Sequence, residues 1–265
     1  MDLTIGCTTR PYSSLPLGEA CRRIASAGYT DVAVFSNDGQ VAVRSDSSAD
    51  EVAEARRIVE NAGLRPSMLL GRTNLDMGLE AAVQDYKRLI SNAAELGIDW
   101  LLDCGTGKEE YYDDYYELMR RAAPRAEEMG VNVVLKPHGG ITLTPDDLLR
   151  ANGRVGHPSF GICHDPGNII YYSKGELRPE DDVARVAPAV RACIIKDCVI
   201  VDGKPDVIVT PGKGLVDFET FLGGLVRNGF RGPLYVECVG GRELDEIDVN
   251  VEKTLGFVRG MLEGL

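Results

Sequence analysis

The amino-acid sequence predicts an α/β fold, a single (β/α)₈ barrel of the TIM type that spans residues 1–265. Short apolar runs alternate with helical patterns along the whole chain, which is the rhythm of βα units. The length of 265 residues lies near the ~250 residues typical of such a barrel. No stretch rich in Pro, Gly, Ser or charge is long enough to separate two domains, so one domain is expected.

A helix-ending glycine recurs along the chain. Gly28, Gly63, Gly97 and Gly130 follow one another at intervals of 35, 34 and 33 residues, and Gly229 stands in a similar setting. Glycine suits the left-handed residue that follows the last turn of a helix. The period also fits helical repeats, but the β-branched apolar runs that follow the glycines favour strands.

Eight segments have the composition of buried strands. In chain order they are Leu3–Cys7, Asp31–Phe35, Pro66–Leu70, Trp100–Asp103, Asn132–Lys136, Phe160–Asp165, Ala192–Lys196 and Leu234–Glu237. Several are apolar throughout, as expected for parallel strands that are covered on both faces. No GxGxxG motif follows the first of them, so an open dinucleotide-binding sheet is not indicated.

The segments between these strands carry helix and turn signals. Leu79–Leu96 has apolar residues at helical spacing. Asp217 is a candidate helix cap, and Thr144, which a proline follows, opens another helix in the cap-then-proline order. Val199–Thr210 is expected to form a small hairpin around its Asp-Gly pair.

Composition and charge exclude several classes of protein. The 41 acidic and 29 basic residues give a formal net charge of −12, and no run of Lys and Arg offsets it, so we expect no nucleic-acid partner. Seven cysteines and no signal-peptide pattern indicate free thiols in a reducing compartment, and we expect a cytoplasmic protein. No segment approaches the ~18 consecutive apolar residues of a membrane span, so no membrane partner is expected.

The last four predicted strands all end in charged residues, namely Lys136, Asp165, Lys196 and Glu237. Active sites of such barrels lie at the carboxyl ends of the strands. Charged side chains inside a barrel are costly unless they are paired or bind a metal ion or substrate, so these four are expected to converge. By alternation, His138 shares the strand face of Lys136, whereas His164 points to the face opposite Asp165 and is expected to be structural.

Four segments together resemble one known family. They are GICHDPGN in the sixth predicted strand, IKD in the seventh, the GKGLVDF turn, and GPLYVEC in the eighth, which NGFRG precedes. On these motifs nearly the whole chain resembles the sugar phosphate isomerase/epimerase family of xylose isomerase-like TIM barrels, a superfamily that also contains endonuclease IV. The endonuclease branch is excluded, because three histidines cannot supply its three-metal site.

The resemblance implies one divalent metal held by Glu, Asp, His and Glu at the ends of strands five to eight. Asp165 and Glu237 match two of these positions, whereas Lys136 and Ile194 stand where the family has Glu and His. Three alternatives follow. The ammonium group of Lys136 takes the place of the metal ion, or this lysine has a lowered pKa and acts as base or Schiff-base nucleophile. In the third, Mn, Mg or Zn is held by Asp165, Glu237 and His138.

The resemblance implies an isomerase or epimerase that acts on a small keto-sugar, keto-polyol or sugar acid without an organic cofactor. Such enzymes remove a proton next to a carbonyl and stabilise an enediolate. Glu237 would be the base or a metal ligand, and Lys136 and Lys196 the cationic stabilisers. His138 would be an acid, a ligand or a hydroxyl-binding group. The alternatives are a lyase (dehydratase, decarboxylase or β-eliminating enzyme) and a non-catalytic sugar-binding barrel.

Further residues at the strand ends are expected to bind the substrate, a small sugar or sugar acid, and these are Arg10, Arg72, Asn168 and Asp197. The two arginines suit an anionic sugar acid, phosphate or enolate. Asp197 has the alternative of capping the turn that follows it. The GKG segment at 212–214 either contacts a phosphate through its amides or is a plain turn. Clustered tyrosines fit either oligomer contacts or walls on which a sugar stacks, and we expect a homo-oligomer, either dimer or tetramer.

Overall fold

The computed structural model describes residues 3–265, and these form the expected (β/α)₈ barrel. Eight parallel strands close into a ring in the order β1-β10-β7-β6-β5-β4-β3-β2. The barrel strands are β1 Ile5–Thr8, β2 Asp31–Val34, β3 Arg65–Leu70, β4 Trp100–Asp103, β5 Asn132–Leu135, β6 Phe160–His164, β7 Val190–Ile195 and β10 Leu234–Val236. The α/β fold class is therefore confirmed, and the eighth strand predicted from sequence is β10.

Helices cover the outside of the ring between successive strands. They are α1 Leu17–Ser26, α2 Ala49–Asn61, α3 Leu79–Leu96, α4 Tyr112–Met129, α5 Pro145–Val155, α6 Pro166–Tyr172, α7 Val183–Val186, α8 Phe218–Arg227 and α9 Leu244–Glu263. Apolar faces of these helices and the outward residues of the strands form the main hydrophobic core. Within residues 3–265, no helix combines the length and the apolar character that crossing a membrane requires.

The local signals in the sequence have the expected structural counterparts. Helix α3 has the predicted bounds, and its C-terminal Gly97 adopts a left-handed φ of 93°. Thr144 caps α5 by accepting a hydrogen bond from the backbone N–H of Asp147, and Asp217 caps α8 in the same way through Thr220. These caps satisfy N–H groups that the first turn of a helix leaves without a partner.

Two further details concern the start of the first strand and the segment that follows β7. The first strand begins at Ile5 rather than Leu3, because its ladder with β10 starts at the Ile5–Leu234 pair. The predicted hairpin is present as the antiparallel strands β8 Val199–Val201 and β9 Lys204–Asp206. This hairpin follows β7 in the chain and forms a separate two-stranded sheet outside the ring.

Alternate residues of the strands point into the ring and fill it with a second, smaller core. Its members are Ala33, Phe35, Met68, Leu102, Val134, Cys163, Ala192, Ile194 and Tyr235. The Tyr235 ring lies so close to Gly6 that a Cβ there would stand 2.6 Å from it. The ring is therefore a packed core, and an open site is left only above it, at the carboxyl ends of the strands.

Candidate functional site

The four charged residues predicted to converge come from four neighbouring strands, β5, β6, β7 and β10. Lys136, Asp165, Lys196 and Glu237 each follow directly after the last residue of their strand. Two residues before each of them stands a member of the inner core, so alternation turns all four side chains inward. The exposed fractions of these residues are 2%, 0%, 3% and 5%, respectively.

These residues form a closed set of ion pairs, which we call the charge tetrad. Lys136 Nζ lies 2.7 Å from Glu237 Oε2 and 3.5 Å from Asp165 Oδ2. Lys196 Nζ contacts Glu237 Oε1 and lies 3.1 Å from Asp165 Oδ2. Two cations and two anions cancel, which removes much of the cost of burying charge.

Asn168 in the first turn of α6 supports the tetrad. Its Oδ1 accepts a hydrogen bond from Lys196 Nζ at 3.1 Å, and its Nδ2 donates to the Pro137 carbonyl at 2.7 Å. Its backbone N–H donates to Asp165 Oδ1 at 3.0 Å. The side chain expected to contact substrate is thus engaged with the protein and fixes the position of Lys196.

Ion pairing decides the charge states of the tetrad. Burial by itself disfavours the ammonium form of a lysine, but the negative charges of Glu237 and Asp165 outweigh this effect. They hold the pKa of Lys136 well above its ordinary value, and they also raise the pKa of Lys196. Burial would likewise raise the pKa of Glu237, yet the two lysines hold that pKa well below its usual range. Both lysines are therefore protonated and Glu237 is ionised at neutral pH.

Lys136 and Glu237 are the members of the tetrad that face a cavity. A cavity of about 310 Å³, the central cavity, is lined by Arg10, Ser13, Phe35, Ser36, Leu70, Cys104, Lys136, His138 and Glu237. Lys136 and Glu237 thus form part of its wall, whereas Asp165 and Lys196 lie behind them. The Phe35 ring centroid is 5.9 Å from Lys136 Nζ, a cation–π contact.

His138 stands at the mouth of the central cavity. It is exposed, and its ring centroid lies 5.0 Å from that of Tyr172. Partial burial and the positive charges of Lys136 and Lys196 lower the pKa of His138. The imidazole is therefore neutral at neutral pH and can accept a proton.

The other residues that were expected to bind the substrate fall into two groups. Arg10 and Arg72 are exposed, and each lines a cavity at the carboxyl ends of the strands. Asp197 is buried, and its carboxylate accepts hydrogen bonds from four backbone N–H groups, including those of Gly212 and Gly214. Asp197 therefore anchors the GKG loop, which agrees with the alternative that it caps the turn that follows it. It is not among the residues that line the central cavity.

Five residues of the cavity wall were not predicted from the sequence, namely Ser13, Phe35, Ser36, Leu70 and Cys104. Phe35 is the last residue of the second predicted strand, and Cys104 directly follows β4. Both lie two residues beyond a member of the inner core, at Ala33 and Leu102. The same alternation that placed Lys136 would have placed them.

The family model for xylose isomerase-like TIM barrels matches residues 21–259. The chain belongs to this family. A search of curated proteins finds no match.

Solved structures support the same fold. A xylose isomerase-like TIM barrel protein from Mycobacterium smegmatis, in complex with magnesium, is 18% identical with a TM-score of 0.78, and the match covers 98% of each chain. A D-psicose 3-epimerase in the presence of D-fructose is 16% identical with a TM-score of 0.76, covering 98% of this chain and 99% of that one. An L-ribulose 3-epimerase is 13% identical with a TM-score of 0.76, covering 99% and 95%.

The charge tetrad does not fit the single divalent metal that the family resemblance implied. The carboxylates of Asp165 and Glu237 are both occupied by lysine ammonium groups, at the place where a cation would sit. Ile194 belongs to the inner core, where the resemblance placed a histidine ligand. In the described range, 3–265, no group of three or more His, Cys, Asp or Glu side chains has the arrangement of a metal site.

Proposed function

We propose that this protein is a sugar isomerase or epimerase that moves a proton next to the carbonyl of a small keto-sugar, keto-polyol or sugar acid. The family membership and the names of the two epimerases it resembles support this class. The observation that carries the proposal is the pair of Lys136 and Glu237, 2.7 Å apart on the wall of the central cavity. A proton donor and a carboxylate side by side are the two groups that enolisation needs.

Lys136 has a free donor for the substrate, and Lys196 does not. An ammonium group carries three N–H donors. Those of Lys196 are directed to Glu237, Asp165 and Asn168. Lys136 makes one close bond, to Glu237, and a longer contact of 3.5 Å to Asp165, which leaves a donor for the cavity.

This donor would bind the substrate carbonyl and stabilise the negative charge that develops on its oxygen. The raised pKa keeps Lys136 protonated throughout, as an electrophilic stabiliser must be. The Schiff-base alternative requires a neutral amine, and the direction of the pKa shift opposes it.

Glu237 would take the proton from the carbon next to the carbonyl. In the resting site two ammonium groups suppress its basicity. When the free donor of Lys136 binds the substrate oxygen, part of the ammonium charge is neutralised by the negative charge that develops there, so the basicity of Glu237 rises. In isomerisation Glu237 returns the proton to the former carbonyl carbon, while the hydroxyl proton of the neighbouring carbon passes to the former carbonyl oxygen. In epimerisation His138 would first take a proton from solvent and deliver it to the opposite face of the same carbon, and Glu237 would release its proton to solvent.

A lyase is the second candidate. It is favoured because the cation that faces the cavity is the ammonium group of Lys136 and not a metal ion. An enediolate loses a hydroxyl group from the next carbon when an acid protonates that group. Lys136, which stays protonated, can donate a hydrogen bond to this hydroxyl group, whereas a bare metal ion has no donor. The proton that Glu237 has taken from carbon would then complete the water that leaves. The two candidates share every step as far as the enediolate.

Proton exchange tests the proposal directly. The protein is incubated in deuterium oxide with a panel of free and phosphorylated ketoses and keto acids, and proton NMR follows the signal next to the carbonyl. Deuterium incorporation with a rearranged sugar supports the isomerase or epimerase, and loss of water supports the lyase. Absence of exchange with every compound would favour the non-catalytic sugar-binding barrel.

A further inference from the structure

A second cavity adjoins the central cavity at Cys104, which lines both. It measures about 270 Å³ and lies between the loops that follow β3 and β4. We call it the loop cavity. The residues that line it include Arg72, Thr73, Thr106, Gly107 and Lys108. The loop cavity is therefore the neighbouring space, on the far side of Cys104, for a molecule that contacts Lys136.

The charges around the loop cavity leave one cation without a partner. Two carboxylates also line it, but Asp76 is engaged by Lys108 Nζ at 2.6 Å and by the Tyr111 hydroxyl at 3.0 Å. Asp103 accepts hydrogen bonds from a backbone N–H and two buried tyrosines. The Arg72 guanidinium forms no ion pair within 4 Å among residues 3–265, so its donors are open to a ligand. Asp76 lies near enough for the positive charge of Arg72 to lower the pKa of that carboxyl.

Backbone donors lie beside this arginine. The N–H groups of Arg72, Thr73, Thr106 and Gly107 have no acceptor in the part of the chain that the structure describes. Unpaired N–H groups in a loop next to a cation form the type of concavity that binds oxyanions. Sugar hydroxyl groups also accept such bonds, but they leave the charge of Arg72 uncompensated.

The loop after β4 is held in this shape by its neighbour. Gly105 has a left-handed φ of 72°, and the Thr106 carbonyl accepts a hydrogen bond from Ile141 N at 3.1 Å. A Cβ on Gly140 would lie 2.5 Å from that carbonyl oxygen, so the two loops are in close contact. The donors are therefore positioned before a ligand arrives, which lowers the entropy cost of binding.

We propose that the loop cavity binds an oxyanion group of the substrate, a phosphate or a carboxylate, at the end of the sugar away from its carbonyl. The inference rests on the proposed function, because it takes Lys136 and Glu237 as the place of the carbonyl. It narrows the substrate class to anionic keto-sugars and assigns Arg72, with the amides of Thr106 and Gly107, to their recognition.

Binding measurements test this inference independently of turnover. Isothermal titration calorimetry compares D-ribulose, D-ribulose 5-phosphate and 5-keto-D-gluconate, which are a neutral, a phosphorylated and a carboxylated ketose. The protein is expected to bind at least one of the two anionic ketoses about tenfold or more tightly than D-ribulose. Which anion gains affinity identifies the phosphate or the carboxylate as the ligand.

An Arg72→Met variant is expected to remove most of that gain and to leave the affinity for D-ribulose within twofold. Arg259→Met is the matched control, because this exposed arginine lines a cavity that Leu3 and Thr4 place at the other end of the barrel. Equal affinities for all three ketoses, or an equal loss for neutral and anionic ketoses in Arg72→Met, would overturn the inference. Anion-dependent binding without proton exchange would uphold it and contradict only the proposed catalysis.

Discussion

At the scale of single residues, two lysines that look alike in the sequence have different surroundings. Both follow a barrel strand and both are buried. Lys196 lies behind Lys136 and Glu237 with its donors taken, whereas Lys136 lines the central cavity with a donor free. The proposed chemistry therefore depends on Lys136 directly, and Lys196 is a positioning residue for Glu237 and Asp165.

Lys136→Gln is expected to lower kcat about 10²–10³-fold, the range seen when one oxyanion donor is removed. Its pH profile should change as well, because Lys136 lowers the pKa of Glu237. Without that lysine the pKa of Glu237 rises, so the acidic limb of the rate profile moves to higher pH. Steady-state kinetics across pH measures both effects.

The control for this variant is Lys253→Gln, which removes an exposed lysine without an ion pair among the described residues. It should leave rate and pH profile unchanged. An unmoved acidic limb in a folded Lys136→Gln protein would refute the assigned role. Circular dichroism checks that the variant is folded, since breaking a buried ion pair costs several kcal/mol.

Chelation tests whether the lysines stand in the place of the family's metal. Dialysis against EDTA is expected to leave deuterium exchange unchanged, because the carboxylates of Asp165 and Glu237 are already neutralised by ammonium groups. Atomic absorption on protein purified without chelator should find less than one divalent ion per chain. A stoichiometric ion that is lost together with activity would contradict this expectation.

At the scale of elements, the ends of β5, β6, β7 and β10 each deliver one member of the tetrad, and other buried polar residues lie beside them. Asp197 after β7 holds the loop that precedes α8 through four backbone N–H groups. His164 at the end of β6 points outward, packs against α8, and has no hydrogen-bond partner at either ring nitrogen among residues 3–265. Asp197 thus stabilises the loop around it, whereas the unsatisfied His164 lowers the stability of the fold.

Asp197→Ala is expected to destabilise the fold by about 2 kcal/mol or more, because it leaves N–H groups without a charged acceptor. Hydrogen exchange of the 212–216 amides should accelerate most. Asp206→Ala is the control, since Asp206 accepts one N–H in the exposed hairpin. Equal protection of residues 212–216 in both variants would show that Asp197 is not the anchor.

His164→Leu is expected to stabilise the protein, because it removes an unsatisfied buried polar group worth roughly 1–3 kcal/mol. Burial lowers the pKa of His164 from its usual 6.5 to about 4. The unfolded chain therefore binds more protons between these pH values, and the free energy of unfolding falls as pH drops from 6.5 to 4. The variant should lose this part of the acid dependence.

Urea unfolding at several pH values measures the effect. His157→Gln serves as the comparison, because His157 lies in a loop where its Nδ1 accepts a hydrogen bond from Ser159 N. A His164→Leu protein that is less stable than the parent at pH 5 would contradict the explanation.

At the scale of the whole molecule, the closed ring with its two cores determines what is accessible. All seven cysteines are free, and six of them are buried, with only Cys104 partly exposed. Burial raises the pKa of Cys104 to about 12 and those of the other cysteines as well. A thiolate is the reactive form, so native protein should react slowly with thiol reagents.

A spectroscopic thiol assay is expected to count seven thiols in guanidinium and at most one fast-reacting thiol in the native protein. Mass spectrometry of the labelled chain should place that first label on Cys104. Reducing agent should leave the Tm unchanged, because no disulfide contributes within the described range. Rapid labelling of several native cysteines would show that the cores open more readily than the packing implies.

The sequence by itself determined the barrel, because helix caps, strand runs and their alternation are local signals that depend on neighbours in the chain. It also placed Lys136, Asp165, Lys196 and Glu237 together, since equivalent strand ends meet at one end of a parallel barrel. Which lysine keeps a free donor, and that Asn168 holds Lys196, depended on distances between β5, β6, β7 and β10. Such contacts join residues far apart in the chain, so only the tertiary structure decided them.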